Sequence, residues 1–312
     1  MAKLKNAPGL DVGGKHVPVS NLDKVLYPKA GFTKGQVIDY YIRAAPVLLP
    51  HLAGRPLTLK RYPNGVEQEF FYEKKCPAHR PEWVSTTSVW SDRNQANINY
   101  CVVSDLATLV WAANLADLEL HTCLARGEDI MRPTMMVFDL DPGAPAGILE
   151  CAQVGIWVRE LFESLGLKSF VKTSGSKGLQ VYIPLNTPVT YEQTKPLAKA
   201  VAELLERQHP KQIVSNMLKA LRKGKVLVDW SQNDDHKTTV CVYSLRAKDR
   251  PMVSTPLEWD EVAAALKKKD AKKLEFTSDQ ALKRIEKNGD LFEPVLKLKQ
   301  KLPKAASLQR AA

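Results

Sequence analysis

The sequence predicts a mixed α+β fold centred on a sheet, and three features carry that expectation. From residue 134 onward, strand-like runs alternate with helical patterns, beginning with MMVFDLD at 135–141. Two segments place apolar residues at helical spacing: Val154, Val158, Leu161, Phe162 and Leu165, then Leu197, Val201, Leu204 and Leu205. Residues 57–103 read instead as short strands broken by turn signals such as Pro63-Asn64-Gly65. Helical and strand periods mixed in this way suit a sheet packed against helices.

Each element follows from local chemistry. Residues 1–20, rich in Gly, Lys and Pro, read as an extended lead-in. Thr33 should cap a helix reaching Leu49, kinked at Pro46 and stopped by Pro50. Ser104-Asp105 caps a short helix with Leu106, Leu109, Val110 and Ala113 on one face. Strands are expected at 168–173 and 179–185 around a turn at 174–178, and again at 226–229 and 238–245. A helix is expected around 191–208. The chain after 257 reads as helical, with lysine runs at 267–269 and 272–273 on a solvated face and a frayed end. The expected division is a flexible lead-in over 1–16, a single domain over 17–295 and a basic tail over 296–312.

At 312 residues the chain can bury a sizeable core, and 44% hydrophobic with 25% charged residues is an ordinary globular composition. No apolar run reaches the roughly 18 residues a membrane span needs, and no apolar stretch follows the first lysines as in a signal peptide. A cytoplasmic protein is the expectation. The net charge of +11 favours a polyanionic partner, because lysines and arginines set against phosphates release counterions. Five cysteines without a CxxC pair argue against a disulfide framework or zinc ribbon, so the thiols are expected reduced and buried. Cys76-Pro-Ala-His79 could supply half a zinc site, but no second pair completes it.

The strongest chemical signal is Asp139-Leu140-Asp141-Pro142-Gly143. Residues i and i+2 of a strand share a face, so both carboxylates project together at the end of an apolar run. Two such charges repel unless a cation joins them, and hard oxygen ligands suit Mg²⁺ or Mn²⁺. A solvated strand end is the plainer alternative. Thr173-Ser174-Gly175-Ser176-Lys177-Gly178 could form a phosphate-binding turn, although a flexible hairpin loop has the same composition. Val226-Leu227-Val228-Asp229 again ends an apolar strand in a carboxylate, and Arg246 could neutralise a triphosphate or lie on the surface. His121 alone reads as a structural histidine. Phe70 and Phe71, following Lys60-Arg61, leave at least one ring able to stack on a base unless the core is two-sided.

Together these motifs resemble the polymerase domain of bacterial LigD and its stand-alone relatives, members of the archaeo-eukaryotic primase superfamily serving in non-homologous end joining. The similarity runs from about Val17 to Ile285 and rests on DLDP, SGSKG and the VDW segment in that order. It implies a primase-like core with a central, mostly antiparallel sheet flanked by helices. It implies that Asp139, Asp141 and Asp229 bind two metal ions, Mn²⁺ or Mg²⁺, and that Lys60, His121, Ser174, Lys177, Gln180 and Arg246 bind the incoming NTP or dNTP. Asn21, Lys24 and Lys34 match a pocket for a downstream DNA 5′-phosphate, and Phe70 and Phe71 match aromatics that stack near the templating base. Gln180 and Gln232 are departures, since some relatives carry histidine and arginine at these positions.

The resemblance implies a template-dependent polymerase that adds nucleotides, ribonucleotides by preference, to DNA 3′-ends and fills short gaps bearing a 5′-phosphate. The absence of a KxDG motif implies that a DNA ligase and Ku act in trans, on DNA at the nucleoid. A non-catalytic end-binding module and a primer-synthesising primase are the alternatives.

Overall fold

The computed structural model describes residues 9–92, 94–303 and 308. Among them, two six-stranded sheets form the body. The first runs in the order Ile213–Val214, Val226–Asp229, Met135–Pro142, Leu179–Pro184, Phe170–Thr173, Pro256–Leu257. Every pairing in it is antiparallel except the first. The second places Asp117–Thr122 between Thr239–Val240 and Leu57–Arg61, then continues through Ala96–Cys101 to Thr86–Ser91. Phe71–Glu73 also pairs with Leu57–Arg61.

Alternation along Met135–Pro142 decides where the site lies. Met136, Phe138 and Leu140 face outward into a core built with Val154, Val158 and Phe162 of helix Ile148–Ser164 and Val201 and Leu205 of helix Tyr191–Gln208. The Phe138 and Phe162 rings lie 5.5 Å apart. Each such fully buried side chain contributes roughly 1.5–3 kcal/mol. Met135 and Val137 face the other way, into a core shared with Leu57, Leu59, Leu118 and Leu120 of the second sheet. Asp139 and Asp141 continue that inner face past the end of the shared core. A dry interface between sheets therefore opens into a cleft where the strand turns polar.

Most expected elements form, and the helix at 191–208 matches its sequence pattern. The first long helix differs. It spans Lys34–Leu52 and passes through both Pro46 and Pro50. Both prolines are exposed, so their rings lie on the solvent side, while Tyr40, Tyr41, Leu48 and Leu52 anchor the opposite side. The lead-in expected over 1–16 is, in its described part, a hairpin pairing Gly9–Val12 with Lys15–Pro18; residues 1–8 lie outside the described residues. The strand expected at 238–245 is interrupted after Thr239–Val240, because the chain turns at Tyr243, whose φ is +63°, before Leu245–Ala247.

The tail is docked where it is described. The Gln300 amide donates to the Lys168 and Pro184 carbonyls at 3.0 and 2.8 Å and accepts from the Lys168 N–H at 2.7 Å. The cysteine expectation fails at one pair: Cys76 and Cys101 form a disulfide, which also removes Cys76 as a zinc ligand. The two lie 25 residues apart, and only the packing of the loop after Phe71–Glu73 onto strand Ala96–Cys101 brings them together. Cys123, Cys151 and Cys241 are free and buried, as expected.

Candidate active site

Strand pairing assembles the acidic cluster. Asp139 lies directly opposite Asp229 across one neighbouring strand and opposite Gln180 across the other. Asp141 is two residues on, over the same face. Burial, then Asp141, then Asp229 push the Asp139 carboxyl up to about 7, and burial and Asp229 raise Asp141 as well. Asp229 is held in place: its carboxylate accepts from the Ser231 N–H and hydroxyl at 2.8 and 2.6 Å and from the Gln232 amide at 2.9 Å. Three carboxylates converging without enough cations of their own are a donor set suited to hard divalent ions.

The cleft in front of these groups has a volume of about 680 Å³ and is lined by Asp139, Asp141, His121, Ser174, Lys177, Gln180, Gln232 and Arg246. The 174–178 turn forms one rim. Ser174 Oγ accepts the N–H groups of Ser176 and Gly178, each at 3.2 Å, so part of the expected anion nest is already closed by the loop's own serine. Gly178 is required by close approach, since a Cβ there would stand 1.9 Å from the Leu140 carbonyl oxygen. That contact fixes the loop against the carboxylate strand. Lys177 is exposed on the loop, and an Arg246 N–H donates to the Ser174 carbonyl.

A residue that sequence reasoning missed, Glu119, organises the opposite wall. Its carboxylate contacts Lys60 Nζ at 3.1 Å, His121 Nε2 at 3.1 Å and Arg246 Nε at 3.3 Å. It also accepts from the Ala247 N–H at 3.0 Å. Burial opposes its charge, but His121, Arg246 and Lys60 together hold the carboxyl far below its usual range. Burial in turn lowers His121, against the pull of Glu119. His121 is therefore not an isolated structural histidine. The signal available was the i, i+2 spacing of Glu119 and His121 in LELH, which puts them on one strand face.

The remaining expected residues lie outside the cleft lining. Lys60 Nζ stands 4.5 Å from the Phe70 ring centre, and Arg61 stacks over Phe71 at 5.0 Å. Both rings are nearly half exposed, at 48% and 43%. Asn21, in the left-handed region at φ +53°, accepts the Lys24 N–H at 3.0 Å and turns the chain beside the start of helix Lys34–Leu52. Lys24 Nζ donates to Asn64 at 3.0 Å. Lys34 is buried with Ser20 Oγ at 3.5 Å as its side-chain partner, and burial, Lys24 and Arg61 lower it to about 8. The cleft also takes in Thr58, Tyr72, Lys74, Arg222 and His236, which sequence reasoning did not select. Asp234, Asp235 and His236 bring ligand atoms within 4.8 Å of one another, though Asp234 is already paired with Lys195.

Comparison with known proteins matches residues 33–292 to the family model described as LigD, primase-polymerase domain. The Mycolicibacterium smegmatis multifunctional non-homologous end joining protein LigD is 41% identical over 283 residues, 90% of this chain and 36% of that protein. The Bacillus subtilis bifunctional non-homologous end joining protein LigD is 33% identical over 292 residues, 93% of this chain and 46% of that protein. The chain thus spans between about a third and a half of these relatives' length. The polymerase domain from Mycobacterium tuberculosis ligase D, solved in complex with DNA, superimposes with a TM-score of 0.84 at 40% identity, covering 91% of this chain and 99% of that one. On the family match over residues 33–292 and on these identities, the chain belongs to the LigD primase-polymerase domain family.

Proposed function

We propose that this chain is a template-dependent nucleotidyltransferase that extends DNA 3′-ends and fills short gaps bearing a downstream 5′-phosphate during non-homologous end joining. The observation that carries this reading is the convergence of Asp139, Asp141 and Asp229 on one sheet face, across a cleft from Lys177, Arg246 and His121. The three aspartates would hold two Mn²⁺ or Mg²⁺ ions. When bound, such ions lower the pKa of a primer 3′-hydroxyl and neutralise charge on a leaving pyrophosphate.

The chain's own groups divide the remaining work. Lys177 and Arg246 present fixed positive charge toward the triphosphate, where charge grows during transfer. Glu119 holds Lys60, His121 and Arg246 as a set, so the cations are positioned before nucleotide arrives. Ser174 shapes the loop through its two N–H contacts. Lys34, buried with no carboxylate partner among the described residues, together with Lys24 and Asn21, suits a terminal phosphate dianion. Phe70 and Phe71 offer faces on which a templating base can stack. Ribonucleotide and Mn²⁺ preference, and Ku and ligase as partners acting at the nucleoid, belong to the same proposal.

The test is NTP incorporation on a gapped duplex with Mn²⁺, with and without the 5′-phosphate. Incorporation should fall by about 10³-fold or more in Asp139→Ala, as when several kcal/mol of transition-state stabilisation are lost. Undiminished synthesis by that variant would overturn the site.

A further inference from the structure

Four residues stand in one row across the first sheet. Asp229 pairs with Asp139, Asp139 with Gln180, and Gln180 with Lys172, each on the next strand. Asp139 and Gln180 line the cleft. Lys172 lies behind them and is fully buried.

Lysine has three N–H donors and no acceptor. Here all three are used: Gln180 Oε1 at 2.5 Å, Ser254 Oγ at 2.7 Å and the Val240 carbonyl at 3.0 Å. The contact with Gln180 has a directional consequence. An amide can present either its oxygen or its NH₂ to a neighbour, and only the surroundings decide which. An ammonium on one side takes the oxygen, which leaves the NH₂ for the side of Asp139, the cross-strand neighbour of Gln180. Without Lys172 the amide could rotate and set its oxygen against the carboxylate, which is repulsive.

We propose that Lys172 is a positioning residue: by fixing the polarity of the Gln180 amide, it holds the Asp139 carboxylate in the orientation that binds a divalent cation. The three hydrogen bonds of Lys172 go to Gln180, Ser254 and Val240, so beyond the longer-range attraction between the two charges its hold on Asp139 runs through Gln180. The inference rests on reading Asp139 as a metal ligand. Outer groups that orient a ligand are commonly worth about 10–100-fold in metal affinity.

The experiment is a Mn²⁺ titration of the full chain followed by electron paramagnetic resonance, with circular dichroism to verify folding. Wild-type binding that Asp139→Ala does not weaken would refute the metal-site reading itself. Given Asp139-dependent binding, Lys172→Met and Gln180→Met should each weaken Mn²⁺ by about 10-fold, the lower end of that range. The double variant should bind no more weakly than either single one. A merely structural lysine would instead give losses that multiply. Lys172→Arg, which keeps a donor-only cation toward Gln180, should bind Mn²⁺ nearly as wild type does. If Lys172→Met does not fold, Gln180→Met and Lys172→Arg decide the matter. Wild-type affinity in Gln180→Met, or multiplying losses in the double variant, overturns the proposal.

Discussion

Asp139 lines the cleft and Glu119 lies buried behind the facing His121 and Arg246; both are poorly exposed carboxylates, and their environments drive them in opposite directions. Glu119 meets Lys60, His121 and Arg246 and stays ionised well below the usual carboxylate range. Asp139 meets Asp141 and Asp229 and is pushed up to about 7. Burial penalises both charges, so the difference lies in their neighbours. A carboxylate whose charge is already matched anchors the cations around it. One whose charge is unmatched requires a cation from outside. The contrast separates the organising residue from the candidate metal ligand without reference to any relative.

The largest effect should come from breaking the matched side. Glu119→Gln leaves Lys60 and Arg246 without their shared partner, and loss of one member of a buried ionic cluster costs about 3–5 kcal/mol. Chemical denaturation at pH 7 measures it. The sign follows from the lowered pKa: the stabilisation is complete above the unfolded-state value and is lost only as the pH falls through the folded one. An unchanged midpoint would show that Glu119 anchors nothing.

On the unmatched side, Mn²⁺ should raise the unfolding free energy of the wild type by about 2.7 kcal/mol at a hundredfold excess over its dissociation constant. Asp139→Ala should lose that gain, which thermal unfolding with and without Mn²⁺ would reveal. Asp139→Asn, in contrast, should stabilise the metal-free protein by about 1–3 kcal/mol at pH 8, because it removes an unfavourable charge. A raised carboxyl destabilises the fold as the pH climbs from the unfolded value to about 7, so this benefit should vanish near pH 4. A benefit independent of pH would break the comparison.

The smallest effect belongs to the amino-terminal pocket. Lys34→Met should reduce the preference for a 5′-phosphorylated gap about fivefold to tenfold, equivalent to roughly 1 kcal/mol. In the wild type the preference should decline as the pH rises past about 8, where Lys34 loses its proton. Fluorescence anisotropy on phosphorylated and unphosphorylated duplexes measures both.

The sequence revealed what local rules control. The pairing of Asp139 with Asp141 follows from strand period, and the helix at Tyr191–Gln208 from apolar spacing. By local rules Asp229 was one more strand-end carboxylate; the family resemblance singled it out, and register places it opposite Asp139. Glu119 was hidden for the same reason. Its three partners come from the neighbouring strand, from its own, and from Arg246 far along the chain, so no window of sequence contains the cluster. The disulfide and the passage of the first long helix through Pro46 and Pro50 depend likewise on tertiary contacts that override local signals.

The near-contact of Gly178 with the Leu140 carbonyl carries a consequence for how such a site can diverge. Backbone against backbone sets the span from phosphate rim to carboxylates, and no side chain length enters into it. Polar groups around the cleft can then be exchanged while the ruler between the two halves of the chemistry keeps its length. A single methyl group at 178 would lengthen that ruler. Gly178, one of the loop's two glycines, is thus among its residues least free to change.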